Sequence, residues 1–234
     1  GERVNPRDFV KCDEDDLCKG QATVFRGIGA RGNYLSIDRT DIRFGIQELA
    51  RIMAKPRNVD FKQLIKFGSY LKGKMRVVNH FSYQKDWKIM DVWSDKDHAG
   101  CLETRKSTSG GVIMFGEHII KHWSSTQSLI SLSSGEAEYY GCVRGGSHGL
   151  GVKSMLSDLG VKGKRLRIKT DASVAKSLAS RRGLGGIRHI EVNQLWLQEK
   201  VNKDEIEIEK VKGELNYADV LTKYKDGTTL NTQM

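Results

Sequence analysis

The stretch Ile89-Met90-Asp91-Val92-Trp93-Ser94-Asp95 is an apolar run that ends in an acid, and it predicts a β-strand with Asp95 at its carboxyl end. A second run, Leu166-Arg167-Ile168, alternates in the same way and is followed by Asp171. If the two strands are parallel neighbours, both acids emerge at one edge of a sheet. That edge is where ligands bind in open α/β sheets.

Two carboxylates held close together repel each other unless a cation lies between them. Hard oxygen ligands of this kind favour Mg²⁺ or Mn²⁺. The alternative is that Asp95 and Asp171 are turn or helix-cap aspartates, which is a common use of Asp after a strand. Spacing alone leaves both interpretations open.

A third acid comes from the block Leu132-Ser133-Ser134-Gly135-Glu136-Ala137-Glu138-Tyr139. Ser133 and Glu136 fit a capping box, which gives Glu136 a structural role at a helix start. Glu138 is free of that role and is predicted to face the sheet edge. A fourth candidate is Asp219, although Asn216 could cap the last helix with Asp219 as its third-position acid.

The other periodic segments alternate between strand and helix. Strands are predicted at 75–78, 87–94, 110–115, 118–123, 165–170 and 205–211, with a hairpin turn at Gly116, and helices at 136–143, 172–179, 190–201 and 217–225. This order indicates an α/β layer fold. Gly183, Gly185 and Gly186 are predicted to form a mobile loop.

The first part of the chain has a different pattern. Residues 1–20 show no apolar period and are interpreted as a flexible arm. Helical periods begin at Asp41 and at Phe61, and they end at Lys55-Pro56 and at Gly73. Residues 27–32 spell GxGxxG but are not followed by a plausible helix start, so we do not interpret them as a nucleotide site. The domain boundary is placed near residue 84, giving domains 1–84 and 85–234.

Composition narrows the class of protein. The 234 residues are 38% hydrophobic and 29% charged, without the ~20-residue apolar run that a membrane span needs. The start of the sequence lacks a secretory signal pattern, and four scattered cysteines, at 12, 18, 101 and 142, are interpreted as reduced thiols. The net charge of +10 favours an anionic partner, most often nucleic acid. We therefore expect an intracellular protein, in a cytoplasmic particle or the nucleus.

Seven blocks in order resemble the ribonuclease H domain of copia-type retrotransposon Pol polyproteins. They are residues 93–101, 105–111, 123–125, 133–139, 170–173, 188–191 and 218–223, so the resemblance runs from about residue 86 to residue 223. Upstream, residues 39–44, 49–51 and 70–73 resemble the segment that follows the polymerase palm in the same polyproteins. The resemblance implies that residues 1–84 are a C-terminal remnant of reverse transcriptase.

The resemblance also implies a ribonuclease H-like fold, a mixed five-stranded sheet with flanking helices, preceded here by a small helical segment. It implies an endonuclease that hydrolyses the RNA strand of RNA/DNA hybrids during reverse transcription, with two Mg²⁺ ions or Mn²⁺ in their place. The implied catalytic and metal-binding acids are Asp95, Glu138, Asp171 and Asp219, with Asp97 as a rival for the first position. Ser133, Ser134, Arg105, Lys106, Arg188 and His189 are the implied contacts to the nucleic acid.

Several residues depart from the family pattern. The Tyr-x-Asp-Asp element of a polymerase is absent from the sequence, and the loop 211–216 lacks the histidine found in many ribonucleases H. Lys96 stands where the family has a small residue, and a cation there would weaken metal binding. A non-catalytic nucleic-acid-binding remnant is therefore the main alternative, and a strand-transfer enzyme on the same fold is a third hypothesis.

Overall fold

The computed structural model describes residues 16–84, 87–101, 104–183, 190 and 192–225. The chain divides into two compact units, Gly1–Asn79 and His80–Met234, which are called the first and the second unit below. The structure thus divides the chain five residues before the boundary predicted after residue 84.

The first unit contains three helices, α1 (Lys19–Leu35), α2 (Thr40–Arg51) and α3 (Asn58–Gly73). Their apolar faces meet in a core that includes Phe25, Ile46, Leu49 and Leu64. Helices α2 and α3 confirm the predicted helical periods, whereas α1 was not predicted. The strand predicted at 75–78 is wrong, because residues 74–84 have no regular structure and no neighbouring strand to pair with.

The GxGxxG sequence lies inside α1 and serves helix packing. A Cβ on Gly32 would lie 2.3 Å from Cδ1 of Ile46, and one on Gly29 would lie 3.4 Å from Sδ of Met53. A side chain at position 32 would displace Ile46, whereas one at position 29 would make an ordinary contact, so close packing explains Gly32 of the motif without a nucleotide.

The second unit is built on a mixed five-stranded sheet. The strands are β1 (Ile89–Asp97), β2 (Thr108–Phe115), β3 (His118–Thr126), β4 (Arg165–Thr170) and β5 (Ile206–Lys210). Their order is β3-β2-β1-β4-β5, with β1–β2 and β2–β3 antiparallel and β1–β4 and β4–β5 parallel. The strands that carry Asp95 and Asp171 are parallel neighbours, which was the condition for both acids to emerge at one edge of the sheet.

Helices flank this sheet, and with it they confirm the predicted α/β class. They are α4 (Ser134–Asp158), α5 (Ser173–Ser180) and α6 (Trp196–Asn202), together with 3-10 helices at Val192–Leu195, Gly213–Leu215 and Tyr217–Leu221. Helix α4 is much longer than the predicted 136–143. The helix predicted at 217–225 is instead the short terminal 3-10 helix Tyr217–Leu221, because the Thr222 side chain bonds to Asp95 and to the carbonyl of Asp219.

The main core lies between the sheet and α4. Met90, Val92, Leu166 and Ile168 project from the two central parallel strands into a cluster with Tyr139 and Cys142 of α4. Their partners on the opposite sheet face include Trp93 and Leu221, which join the terminal 3-10 helix to the sheet. Both faces of β1 are thereby covered, and the acids at its end stand on a rigid base.

Among the described residues no helix combines the length and apolar character that crossing a membrane requires. Cys18, Cys101 and Cys142 are free thiols, and Cys12 lies outside the described residues.

Candidate metal centre at the sheet edge

Asp95 lies on the central strand near its carboxyl end, opposite Gly110 of β2. Its side chain is buried, and Oδ2 accepts a hydrogen bond from the hydroxyl of Thr222. Burial raises the pKa of Asp95 to about 6, and repulsion from Asp219 and Asp171 acts in the same direction. The carboxylate is therefore held in a place where its charge is poorly compensated.

Glu138 reaches the same place from the first turn of α4. Ser133 caps this helix by accepting a hydrogen bond from the amide of Glu136, and the Glu136 side chain accepts one from the amide of Leu132. These bonds confirm the structural role predicted for Glu136. They also fix the start of the helix so that Glu138, two residues on, points to the sheet edge.

Asp171 directly follows β4, which pairs in parallel with β1. Each of Asp95, Glu138 and Asp171 offers one carboxylate oxygen, and these three oxygens lie within 4.8 Å of one another. We call this group the acidic triad. The sequence made the meeting of the two strand-end acids conditional on parallel pairing, and the copia-type resemblance implied it.

Two oxygens of the acidic triad have no hydrogen-bond partner among the described residues. They are Oε2 of Glu138 and Oδ1 of Asp171, and both are inaccessible to solvent. Burial, followed by repulsion from Asp95, raises the pKa of Glu138 to about 8. Buried carboxylate oxygens without donors are the ligands that a hard divalent cation takes, so the residues present fit Mg²⁺ or Mn²⁺.

Asp219 lies next to the acidic triad but is not a member of it. The terminal 3-10 helix is capped by Asn216, which accepts from the amide of Ala218 and donates to the carbonyl of Ser94 on β1. The two carboxylate oxygens of Asp219 pair with Lys223 and Lys225. Although burial opposes it, this pairing lowers the pKa of Asp219.

Asp97, the rival for the first position, is used for local structure. Its Oδ1 accepts a hydrogen bond from the amide of Thr108 at 2.5 Å, which ties the end of β1 to the start of β2. A Cβ on Gly100 would collide with the same carboxylate, so the following loop folds closely around it. Asp97 is not part of the acidic triad.

Four of the six residues predicted to contact nucleic acid lie on segments next to this edge. Ser133 is the cap of α4, and Ser134 accepts a hydrogen bond from Lys96 at 2.8 Å. Arg105, which is exposed, and Lys106 belong to the loop that joins the acidic end of β1 to β2. Arg188 and His189 lie outside the described residues.

Four residues of this edge were not predicted as part of the site: Thr222, Lys223, Lys225 and, as a contact of Glu138, Lys96. The Nζ of Lys96 lies 3.5 Å from Oε1 of Glu138. The four-residue spacing of Asp219 and Lys223 was the signal in the sequence that could have revealed their ion pair. The contacts of Thr222 with Asp95 and of Lys96 with Glu138 join segments far apart in the chain.

Comparison with known proteins relates the chain to transposon proteins. It is 27% identical over 186 residues to the retrovirus-related Pol polyprotein from transposon TNT 1-94 of Nicotiana tabacum, covering 79% of this chain and 14% of that protein. It is 26% identical over 205 residues to the one from transposon RE1 of Arabidopsis thaliana, covering 86% and 14%. The chain thus spans 14% of the length of each of these relatives. No family model matches it.

Solved structures similar to the chain include an RNase H1 isolated from compost by a metagenomic approach, with 15% identity, TM-score 0.39 and coverage of 57% of this chain and 92% of that one. Another is the N-terminal RNase H domain of rv2228c from Mycobacterium tuberculosis, with 16% identity, TM-score 0.37 and coverage of 62% and 95%. TM-scores this low add no evidence about the fold beyond the strand order of the second unit. The chain is similar in sequence to a segment of retrovirus-related Pol polyproteins from plant transposons, and its second unit has the ribonuclease H-like α/β fold that the copia-type resemblance implied.

Proposed function

We propose that the second unit is a metal-dependent endonuclease that hydrolyses the RNA strand of RNA/DNA hybrids during retrotransposon reverse transcription. The acidic triad supports this proposal most directly. Three carboxylates from β1, α4 and the end of β4 present oxygens within 4.8 Å of one another, and two of these side chains carry buried oxygens without a donor. Such an arrangement costs stability and is therefore better explained by ligand binding than by folding.

In this proposal Asp95, Glu138 and Asp171 hold divalent ions, magnesium by preference, and Asp219 is a fourth acid beside them. Bound metal would supply the positive charge that activates water and stabilises the leaving oxygen in an in-line displacement. The chain itself orients the ligands. Thr222 fixes one oxygen of Asp95, and the cap at Ser133 fixes the helix that carries Glu138. No side chain has to act as a nucleophile.

The choice of hybrid as substrate rests on the copia-type resemblance and on chemistry at the sheet edge. Ser133, Ser134, Arg105 and Lys106 offer hydroxyl, backbone and cationic groups on the segments around this edge, and Arg188 and His189 are proposed as further contacts to the nucleic acid. Contacts to phosphates position the nucleic acid, and contacts to 2′-hydroxyls distinguish RNA from DNA. The net charge of +10 agrees with a polyanionic partner.

We further propose that the first unit is the C-terminal remnant of a reverse transcriptase, and that the protein works inside the cell. The aligned lengths of 186 and 205 residues exceed that of the second unit, so the similarity to Pol polyproteins extends into the first. The three-helix core of this unit agrees with the small helical segment expected there.

A non-catalytic nucleic-acid-binding remnant is the second candidate, because lysines already pair with two of the four acids. Lys96 lies 3.5 Å from Glu138, and Lys223 and Lys225 pair with Asp219. If metal cannot displace this pairing, the fold keeps its affinity for nucleic acid without cleaving it.

A cleavage assay with Mg²⁺ on an RNA/DNA hybrid, duplex RNA and duplex DNA separates the candidates. The proposal predicts cleavage of the RNA strand of the hybrid only, and loss of cleavage with a chelator. Salt-sensitive binding without cleavage of any substrate would indicate the non-catalytic remnant. Joining or nicking of DNA ends would indicate a strand-transfer enzyme.

A further inference from the structure

The four acids at the sheet edge are not equally available to a cation. On one flank, Glu138 faces the ammonium of Lys96, and on the other, Asp219 is paired at both oxygens by Lys223 and Lys225. Asp95 and Asp171 lie between these flanks and have no lysine within ion-pair distance among the described residues. Oδ1 of Asp171 is also without a hydrogen-bond donor.

Lys96 is held firmly in its position. It follows Asp95 on β1, its side chain is only 11% exposed, and Nζ donates to Oγ of Ser134 at 2.8 Å. Ser134 and Glu138 are four residues apart and therefore on one side of α4. The ammonium is thus located between a hydroxyl and a carboxylate of the same helix face. A buried lysine so placed is retained because the acid beside it compensates its charge.

A divalent ion on Oε1 of Glu138 would have to share that oxygen with an ammonium 3.5 Å away. Two cations on one oxygen in a poorly solvated site repel each other strongly, because screening by water is weak there. Oε2 of Glu138 has no hydrogen-bond donor among the described residues and is the oxygen of this side chain that remains for an ion.

We propose that Lys96 is a resident cation of the acidic site, whose single positive charge takes the place of a second divalent ion at Glu138, so that the free protein binds one divalent ion between Asp95 and Asp171. This inference rests on the proposed function, since it concerns the same metal site. Lys96 stands where the family pattern has a small residue, and in this proposal it sets how many ions the site holds without nucleic acid.

Binding of Mn²⁺ alone to the full chain tests this inference, with free Mn²⁺ measured by electron paramagnetic resonance. We expect one ion per wild-type chain. Lys96→Met keeps the length of the side chain and removes its charge, so it should bind a second ion or bind Mn²⁺ at least about tenfold more tightly. Mn²⁺ should then raise the melting temperature of Lys96→Met more than that of the wild type.

Two control variants isolate the charge at position 96. Lys96→Arg keeps the positive charge and should still bind one ion. Lys203→Met removes an exposed lysine that pairs with Glu199 on α6, and it should bind Mn²⁺ as the wild type does. If Lys96→Met does not fold, the wild-type stoichiometry and Lys96→Arg still decide the matter.

Two equivalent ions on the wild-type chain would overturn the inference and leave the metal site standing. Unchanged binding in a folded Lys96→Met would do the same. Absence of Mn²⁺ binding from every variant would overturn the metal site of the proposed function and this inference together.

Discussion

The two halves of helix α4 have opposite surroundings. In its second half, Gly149 lets the helix backbone press against Val92 and Leu166 of the sheet, among apolar groups. In its first half, Glu138 is just as buried but faces two other acids, and one of its oxygens has no donor. The helix therefore passes from an uncompensated cluster of charge near its start to a close-packed apolar contact at Gly149.

The difference shows where stability and function are located in the second unit. Close packing of glycine against leucine and valine stabilises the fold through contact area and leaves no room for a ligand. The acidic triad does not stabilise the metal-free fold, because buried carboxylates repel one another and raise each other's pKa. Substitutions at the two halves should accordingly change stability in opposite directions.

The largest change in stability is expected for Gly149→Ala. The added Cβ would lie 2.7 Å from Cδ1 of Leu166 and 3.0 Å from Cγ2 of Val92, so a packed core must shift. We expect the free energy of unfolding to fall by about 1–3 kcal/mol, as for other overpacked cores. Urea denaturation followed by circular dichroism measures it.

Gly151→Ala is the matched control on the same helix, because a Cβ there meets nothing within 4 Å. It should raise the free energy of unfolding by about 0.5–1 kcal/mol through helix propensity alone. If both alanines had the same effect, close packing would not be the reason for glycine at position 149.

A smaller loss in the free energy of unfolding is expected for Asn216→Ala, a substitution beside the acidic edge. Asn216 is buried, donates to the carbonyl of Ser94 and caps the terminal 3-10 helix. Removing it leaves a buried carbonyl without a donor and should cost about 1–2 kcal/mol. Asn202→Ala, which removes a bond to Gln198 within α6, is the comparison variant and should cost less.

Glu138→Gln should change stability in the direction opposite to Gly149→Ala and Asn216→Ala, and by less than either. Burial and Asp95 raise the pKa of Glu138 from 4.5 to about 8, so the folded state disfavours its ionised form. Metal-free wild-type protein therefore loses stability as the pH rises from about 4.5 to 8. Glutamine is neutral at every pH and does not lose stability in this way, but it loses the ion pair with Lys96. We therefore expect the free energy of unfolding to rise by an amount on the order of 1 kcal/mol at pH 8.

The comparison variant Glu138→Asp should retain the pH dependence that glutamine removes. Melting temperatures measured from pH 4.5 to 8.5 with a chelator present would show it. A Glu138→Gln variant that is less stable than the wild type at pH 8 would mean that the carboxylate stabilises the fold.

The sheet and two acids of the acidic triad could be predicted from the sequence because their signals are local. Strand alternation at 165–170 gave β4 with its bounds, and the acid after each parallel strand gave the common edge of Asp95 and Asp171. Glu138 was identified because the capping box already accounted for Glu136. These inferences need only neighbours within a few residues.

Helix α1 and most of α4 could not be predicted, because both contain glycines that lower helix propensity. In α1, Gly29 and Gly32 face other helices, and in α4, Gly145 and Gly149 face the sheet. Tertiary packing stabilises both helices against their local preference. The sequence shows the cost of each glycine but not the contact that offsets it.

The sequence pattern also did not predict that lysines pair with the acids. Lys96 meets an acid 42 positions later in the chain, and Lys225 reaches Asp219 only because the chain leaves the 3-10 helix after Leu221. Both contacts depend on how the elements pack, so single-sequence spacing does not reveal them.

Cleavage of an RNA/DNA hybrid by the wild type and by Asp171→Asn, with Mg²⁺ present, tests the central claim most directly. Asparagine keeps the size of the side chain and one oxygen but removes charge from the acidic triad. We predict that cleavage falls by at least about 10³-fold, since bound metal contributes several kcal/mol. The circular dichroism spectrum and the salt-dependent binding of hybrid should persist, because lysines and arginines provide that affinity. Cleavage at the wild-type rate by a folded Asp171→Asn would contradict the account.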